Sequence, residues 1–175
     1  QAGRRIRREL AARCAAAGKA CLAPRVCTPN HILEAPPATA APALVAAAWA
    51  MVLADVETAN YPHLFPTRPA NHNFAWALQL GRLLQDTRDQ LLDGLLRPAE
   101  VAARNLAEPE RWAELASLEE KFVEVLRRKG LQDPVLACLT TAKTAQPPEG
   151  VGRVMVAAVP DAPLLLFKVL ERWAA

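Results

Sequence analysis

The sequence has little of two residue types on which many catalytic and phosphate-binding motifs depend. Only 7 of its 175 residues are glycine, and Ser117 is its one serine. Gly18-Lys19 lacks the earlier glycine and the following hydroxyl residue of a P-loop, and no serine stands in a G-x-S-x-G turn. The sequence therefore predicts neither P-loop ATP binding nor serine-hydrolase chemistry.

Metal-ligand spacings are also missing. None of the four cysteines forms a C-x-x-C pair, and the three histidines do not match zinc-finger or zincin spacing. We therefore expect no metal site and no catalytic residues in this chain. The cysteines are expected to be free thiols, as in a reducing cytoplasm.

The apolar stretch over residues 38–54 does not have the features of a membrane span. It contains Pro42, ends before Asp55 and is shorter than the roughly 20 residues that a bilayer requires. No secretory signal follows the opening arginines, because charged residues and Gly18 interrupt the apolar positions there. We expect a core helix, a cytoplasmic protein and no membrane partner.

What the sequence does contain favours helix. Alanine and leucine are abundant, and 15 prolines separate the segments in which apolar residues recur at helical spacing. Asn71 or Asn73 is a candidate cap for a long central helix that ends at Gly94 or Pro98. The other predicted helices cover residues 2–17, 30–35, 42–58, 98–106, 109–129 and 134–143.

Two segments predict β-structure instead. Val154–Val159 is a continuous apolar run, typical of a strand buried on both faces, and a helix follows Pro160-Asp161. The shorter segment Ala20–Val26 is its candidate neighbour. Because such a strand needs further neighbours, and because the chain begins at Gln1 without Met, we expect more of the sheet to lie outside this sequence. We predict an α/β, predominantly helical fold with few parallel strands, in which residues 1–35 and 151–175 form a partial layer and residues 36–150 a helical subdomain.

Basic residues are concentrated at the start of the chain. The net charge is +3, yet the first 19 residues hold six basic residues against Glu9 alone. A helix of this kind can contact phosphates. It can equally present a solvated face, which is the simpler interpretation of charge alone.

A second charged cluster is acidic. Asp86, Asp89 and Asp93 fall on one face of the long central helix, where three carboxylates could hold a divalent cation. Arg82 and Arg88 stand close by in the sequence. We therefore expect a solvated face stabilised by ion pairs among these residues.

Six short segments, spread over nearly the whole chain, can be compared with a known family. They are Gln1–Leu10, Pro24–Pro29, Tyr61–Pro66, Phe74–Leu78, Gly130–Asp133 and Val154–Asp161. In this order they resemble the N-terminal, helicase-like region of AddB-type subunits and their PD-(D/E)XK nuclease relatives. These are bacterial proteins that process double-strand DNA breaks.

The resemblance implies a helicase-like scaffold that holds or scans DNA while partner elements cut it. The predicted strands would belong to a P-loop-helicase-like layer, with the helical subdomain as its large insertion. Arg4, Arg5 and Arg8 follow the place of motif Ia in UvrD-like helicases and are expected to contact the DNA backbone. Thr28 and Asn30 are expected to contact DNA at a helix N-terminus.

The resemblance also implies a segment without catalysis of its own. Asp161 stands at the Walker B position, but the Asp-Glu pair of active helicases is missing, and Mg-ATP hydrolysis needs such acids. The ATP, Mg²⁺ and iron–sulfur cluster of the family are therefore not expected in this segment. The expected partners are DNA, single-stranded or as a duplex end, and an AddA-like motor subunit. Whether the full-length protein is an AddB-like exodeoxyribonuclease stays open.

The alternative prediction is a helical protein-interaction module with no nucleic-acid role. The many amphipathic helices and the missing catalytic motifs favour it. Under this interpretation a partner binds an exposed stripe of the helix over residues 110–129.

Overall fold

The computed structural model of the chain describes residues 2–20, 24–28, 32, 38–157, 159 and 161–174. These residues form seven α-helices and no β-strand. The chain divides into two units, Gln1–Glu34 and Ala35–Ala175. The first contains α1 (Ala2–Ala16), and the second contains α2 (Pro42–Ala54), α3 (Phe74–Asp93), α4 (Pro98–Ala103), α5 (Pro109–Arg128), α6 (Pro134–Thr144) and α7 (Leu164–Ala174).

The helices begin at residues whose local chemistry favours a helix start. Proline occupies the first turn of α2, α4, α5 and α6, where its missing N–H costs no hydrogen bond. The Asn73 side chain accepts a hydrogen bond from the Trp76 N–H at 3.0 Å and so caps α3. Asp133 caps α6 by accepting from the Leu136 N–H at 3.3 Å. These predicted starts are confirmed.

Two glycines close helix C-termini. Gly18 follows α1 and Gly130 follows α5, with φ of 63° and 69°, the left-handed conformation that closes a helix C-terminus. Helix α2 is shorter than expected. It ends at Ala54, and the chain continues into a single 3-10 turn, Thr58–Asn60.

The core of the second unit forms where α2, α3 and α5 meet. Trp49 of α2 and Phe122 of α5 are fully buried, and their rings stack with centroids 4.3 Å apart and an angle of 9°. Gly81 allows α3 to approach this pair closely, because a Cβ added there would lie 2.7 Å from the Cβ of Trp49. A proline-rich loop over residues 60–69 follows α2, and its Tyr61, Leu64 and Phe65 pack onto the same core.

The predicted α/β fold with a P-loop-helicase-like layer is wrong for the described part of the chain. Residues 154–157 lie outside any helix or strand, and Met155 is 81% exposed. Residues 24–26 of the second predicted strand are not in a strand either. A buried strand needs neighbours that satisfy its backbone hydrogen bonds, and the described residues supply only one isolated bridge, between Thr39 and Gln132. Apolar composition by itself does not create a sheet.

Several predicted elements fall partly outside the described residues. These positions are 21–23 and 158 of the two predicted strands, Pro160, and all of the short predicted helix over 30–35 except Ile32. Among the helices that are described, none combines the length and apolar character that crossing a membrane requires.

Replacing Gly81 with alanine tests the close approach of α2 and α3. Alanine favours a helix interior over glycine by about 1 kcal/mol, but overpacking a buried contact costs about 1–3 kcal/mol. The clashing atom is the Cβ of Trp49, which cannot turn away. We therefore expect a net loss of about 1 kcal/mol in the free energy of unfolding, measured by urea titration.

Gly152→Ala is the matched control, because a Cβ there meets no atom within 4 Å. Its urea midpoint should stay at the wild-type value. Equal midpoints for the Gly81 and Gly152 variants would contradict the tight contact.

Candidate functional site

One side of helix α1 is apolar and contacts its own unit at Gly3. A Cβ added at Gly3 would lie 2.4 Å from Cγ1 of Val26, so the backbone of α1 runs close to the segment over 24–28. Ile6 and Leu10 follow Gly3 on the same side of the helix and are about one-third exposed, at 37% and 39%.

The other side of α1 is basic. With 3.6 residues per turn, Arg4, Arg5, Arg7 and Arg8 fall on an arc opposite Ile6 and Leu10. We call these four residues the arginine face. All four are exposed, and in the described part of the chain none of them forms an ion pair. Arg13, outside the arc, differs: its Nε donates to Glu9 at 3.1 Å.

Uncompensated guanidinium groups on one helix side suit a ligand with repeated negative charge. Each guanidinium offers planar N–H donors that match phosphate oxygens. Arg4 and Arg8 are separated by one turn, a rise of about 6 Å, and a nucleic-acid duplex carries about one charge per 1.7 Å of its axis. A stretch of duplex of this length therefore carries about three or four backbone charges, which is close to the number of guanidinium groups in the arginine face.

The other predicted site residues are Thr28, Asn30 and Asp161. Thr28 is exposed in the non-helical segment of the first unit. Asn30 lies outside the described residues. Asp161 belongs to the second unit, where it is exposed in the turn before α7 and its carboxylate has no hydrogen-bond partner in the described ranges.

The sequence predicted ion pairs between Arg88 and the three aspartates of α3, and this prediction is wrong. Arg88 pairs with none of them, because its side chain is fully buried in the second unit. Its Nε donates to Oε1 of Glu119 at 2.7 Å, and its two Nη atoms donate to Asp133 at 3.1 and 2.5 Å. The guanidinium also lies over the ring of Phe122, 4.9 Å from its centroid.

Polar neighbours complete this buried network. Gln85 Oε1 accepts from Arg88 Nη1 at 3.0 Å and from the indole N–H of Trp49 at 3.1 Å. Arg97 Nη2 donates to the second oxygen of Glu119 at 2.9 Å. Burial alone would lower the pKa of Arg88, but Asp133 and Glu119 together raise it above the usual value. Arg88, Glu119 and Asp133 at its centre are closed to solvent, and their role is therefore structural.

A sequence signal for the network exists. Arg88 stands four residues after Leu84 and three before Leu91, within the apolar stripe of α3. A cation at a core position needs buried carboxylates, but Glu119 and Asp133 lie 31 and 45 residues further on. Only the packing of α5 and α6 brings them to Arg88.

A histidine–carboxylate pair fixes the proline-rich loop to α5. The Glu114 carboxylate accepts from the backbone N–H groups of His63 and Leu64, at 3.0 and 2.8 Å, and lies 2.7 Å from Nδ1 of His63. Burial would raise the pKa of Glu114, but these hydrogen bonds lower it below the usual value. The pair anchors a loop.

The described residues contain no group of three or more His, Cys, Asp or Glu side chains placed to hold a metal ion. Comparison with protein-family models, with curated proteins and with solved structures gives no match for the chain. The arginine face is therefore judged on its own geometry.

Replacing Arg88 with methionine tests the buried network. The change keeps the side-chain length but leaves Glu119 and Asp133 buried without their cation, so we expect a loss of about 3–5 kcal/mol in the free energy of unfolding. Urea titration followed by tryptophan fluorescence measures it. Arg127→Met is the control, because Arg127 pairs with Glu124 on the exposed side of α5. Similar midpoints for both variants would show that the network is not structural.

The lowered pKa of Glu114 predicts a pH-dependent contribution to stability. An acid whose folded pKa is depressed stabilises the protein fully above its unfolded pKa, 4.5, and this contribution is lost as the pH falls through the lower folded value. Glu114→Gln should therefore destabilise more at about pH 5.5 than at about pH 3. Glu110→Gln, an exposed change on the same helix, should show no such difference. A constant effect of Glu114→Gln across this range would refute the linkage.

Proposed function

We propose that this chain is a non-catalytic DNA-binding scaffold whose arginine face contacts the phosphodiester backbone. The observation that carries this function is the side-by-side exposure of four arginines without ion-pair partners in the described residues. Backbone contact of this kind gives affinity and position without reading sequence.

The clustering of charge in the first unit supports this role. In the second unit, Arg111, Arg127, Arg128 and Lys168 are paired with carboxylates three or four residues away, whereas other exposed basic residues, such as Arg68 and Arg82, have no ion pair among the described residues. The arginine face differs from these because four such residues lie within five positions of one helix. The guanidinium groups of the arginine face keep their full charge for an external polyanion.

From the resemblance to AddB-type subunits we take the biological setting, the processing of double-strand DNA breaks beside an AddA-like motor subunit. A P-loop-helicase-like layer is not part of the proposed function. DNA is held by a helix surface instead.

A titration of labelled DNA at several salt concentrations tests the arginine face. We compare the wild type with Arg4→Ala/Arg5→Ala/Arg8→Ala on a single strand and on a duplex, by fluorescence anisotropy. Each lost phosphate contact reduces the slope of log affinity against log salt by about 0.7 for a single strand and about 0.9 for a duplex. The triple variant should therefore lose about two units of slope on a single strand and bind at least tenfold more weakly at low salt.

The control removes three positive charges elsewhere, as Arg127→Ala/Arg128→Ala/Lys168→Ala. It matches the net charge of the test variant but changes residues that are already paired. If both triple variants bind DNA alike, net charge and not the arginine face is responsible, and the assignment fails.

A protein-interaction role is the second candidate, and the exposed apolar side of α2, rather than the predicted stripe of α5, favours it. The apolar residues of α5, namely Trp112, Leu115, Leu118, Phe122, Val125 and Leu126, are buried or half-buried in the chain's own core. Helix α2, by contrast, has no polar residue in its 13 positions and keeps one side exposed. An apolar helix side at the surface is typical of an interaction site.

A further inference from the structure

An open groove runs between α2 and α3 in the second unit. Its volume is ≈ 590 Å³, and Gly81 forms part of its floor. The α2 wall is apolar, with Pro42, Ala43 and Ala46. Because Gly81 has no side chain, the two helix backbones lie close beneath the groove.

The apolar wall continues onto the outer surface of α2. Leu44, Ala47, Met51 and Ala54 recur at helical spacing next to Ala43 and are all exposed, Leu44 to 47% and Met51 to 50%. The resulting apolar strip extends over about three turns of helix without a polar side chain. Apolar surface exposed to water is energetically unfavourable, and burial of this strip under a partner would be favourable.

The opposite wall is charged. Asp86 and Asp89 line it, with Arg82 one turn before Asp86. Gln85 donates to Asp89 Oδ1 at 2.8 Å and is itself held by Trp49 and Arg88. Asp89 is therefore oriented at the groove by the buried network. The Asp86 carboxylate has no hydrogen-bond partner among the described residues and is exposed, so it is available to a ligand.

We infer that the groove binds an amphipathic helix of a partner protein that carries lysine or arginine beside its apolar stripe. The apolar stripe would cover the strip on α2, and the basic side chains would pair with Asp86 and Asp89. An acidic residue one turn away on the same partner helix would complement Arg82. The groove lies in the second unit and is lined by no residue of the arginine face.

Charge complementarity selects this occupant over others. Asp86 and Asp89 are both exposed and both line the groove, so their two negative charges can pair with cations on a bound helix. An anionic helix would face two like charges. A cationic ligand gains no general attraction from the whole protein, because the net charge of the chain is +3. Binding of a basic helix must therefore come from a local site.

Two synthetic helical peptides of about 18 residues, roughly five turns, serve as probes. They share one leucine stripe, which is flanked by lysine in the first and by glutamate in the second. Fluorescence anisotropy on the full chain should give saturable binding of the lysine peptide, at least tenfold tighter than that of the glutamate peptide. Asp86→Asn/Asp89→Asn should remove this preference, and Leu44→Gln/Met51→Gln should weaken both peptides.

Glu110→Gln/Glu120→Gln is the matched control, since it removes two exposed carboxylates from α5, outside the groove. It should leave the preference for the lysine peptide unchanged. Equal loss in the control and in the aspartate variant would mean unspecific attraction, and absence of saturable binding would mean that no such helix fits; either result overturns the inference. So would light scattering that shows a dimer of the wild type which Leu44→Gln/Met51→Gln dissociates, because a second copy would then cover the strip.

Discussion

The guanidinium of Arg88 is the point on which the helices of the second unit converge. A buried cation is tolerated only when carboxylates and hydrogen bonds surround it, because leaving it unpaired costs several kcal/mol. Glu119 comes from α5, and Asp133 stands at the start of α6. The correct relative position of α3, α5 and α6 is therefore a condition for burying Arg88 at all. The interaction selects one arrangement of helices, while the stacked Trp49 and Phe122 supply apolar burial beside it.

Two side chains of this network, Asp133 and Gln85, each make two kinds of contact. Asp133 in this way connects a local helix cap to the packing of distant helices. Asp133 caps α6 and also accepts from both Nη atoms of Arg88. Gln85 joins Arg88 to the indole of Trp49 and at the same time orients Asp89 at the groove. One carboxylate of the charged wall of the groove is thus oriented from inside the core. A group that is already oriented loses less conformational entropy when it binds a ligand.

The two units use arginine in opposite ways. In the first, the arginine face remains exposed and without ion pairs in the described residues, a state suited to an external polyanion. In the second, Arg88 is enclosed by its own carboxylates and has no capacity left for a ligand. The same residue type thus gives a candidate binding surface in one unit and a structural centre in the other. The difference is solvent access together with the nearness of Glu119 and Asp133.

Helix positions and most helix ends could be predicted, because the signals are local. Pro42, Asn73, Pro109 and Gly130 act on the backbone within a turn of their own position. The arginine face could be predicted for the same reason, since helical spacing alone puts its members on one side of α1. The strand over residues 154–159 was wrongly predicted because a strand depends on hydrogen bonds to distant segments, which composition does not reveal.

The sequence by itself determined where helices start and stop, which residue types line each side, and that basic charge gathers at the beginning of the chain. Tertiary structure alone decided that Arg88 is buried, that the apolar side of α5 is used internally, and that one side of the wholly apolar α2 stays exposed. The physical reason is the separation in sequence over which each kind of interaction acts. Caps, prolines and helical periodicity act over three or four residues, whereas burial and ion pairing depend on partners dozens of residues away, whose positions exist only once the helices have packed.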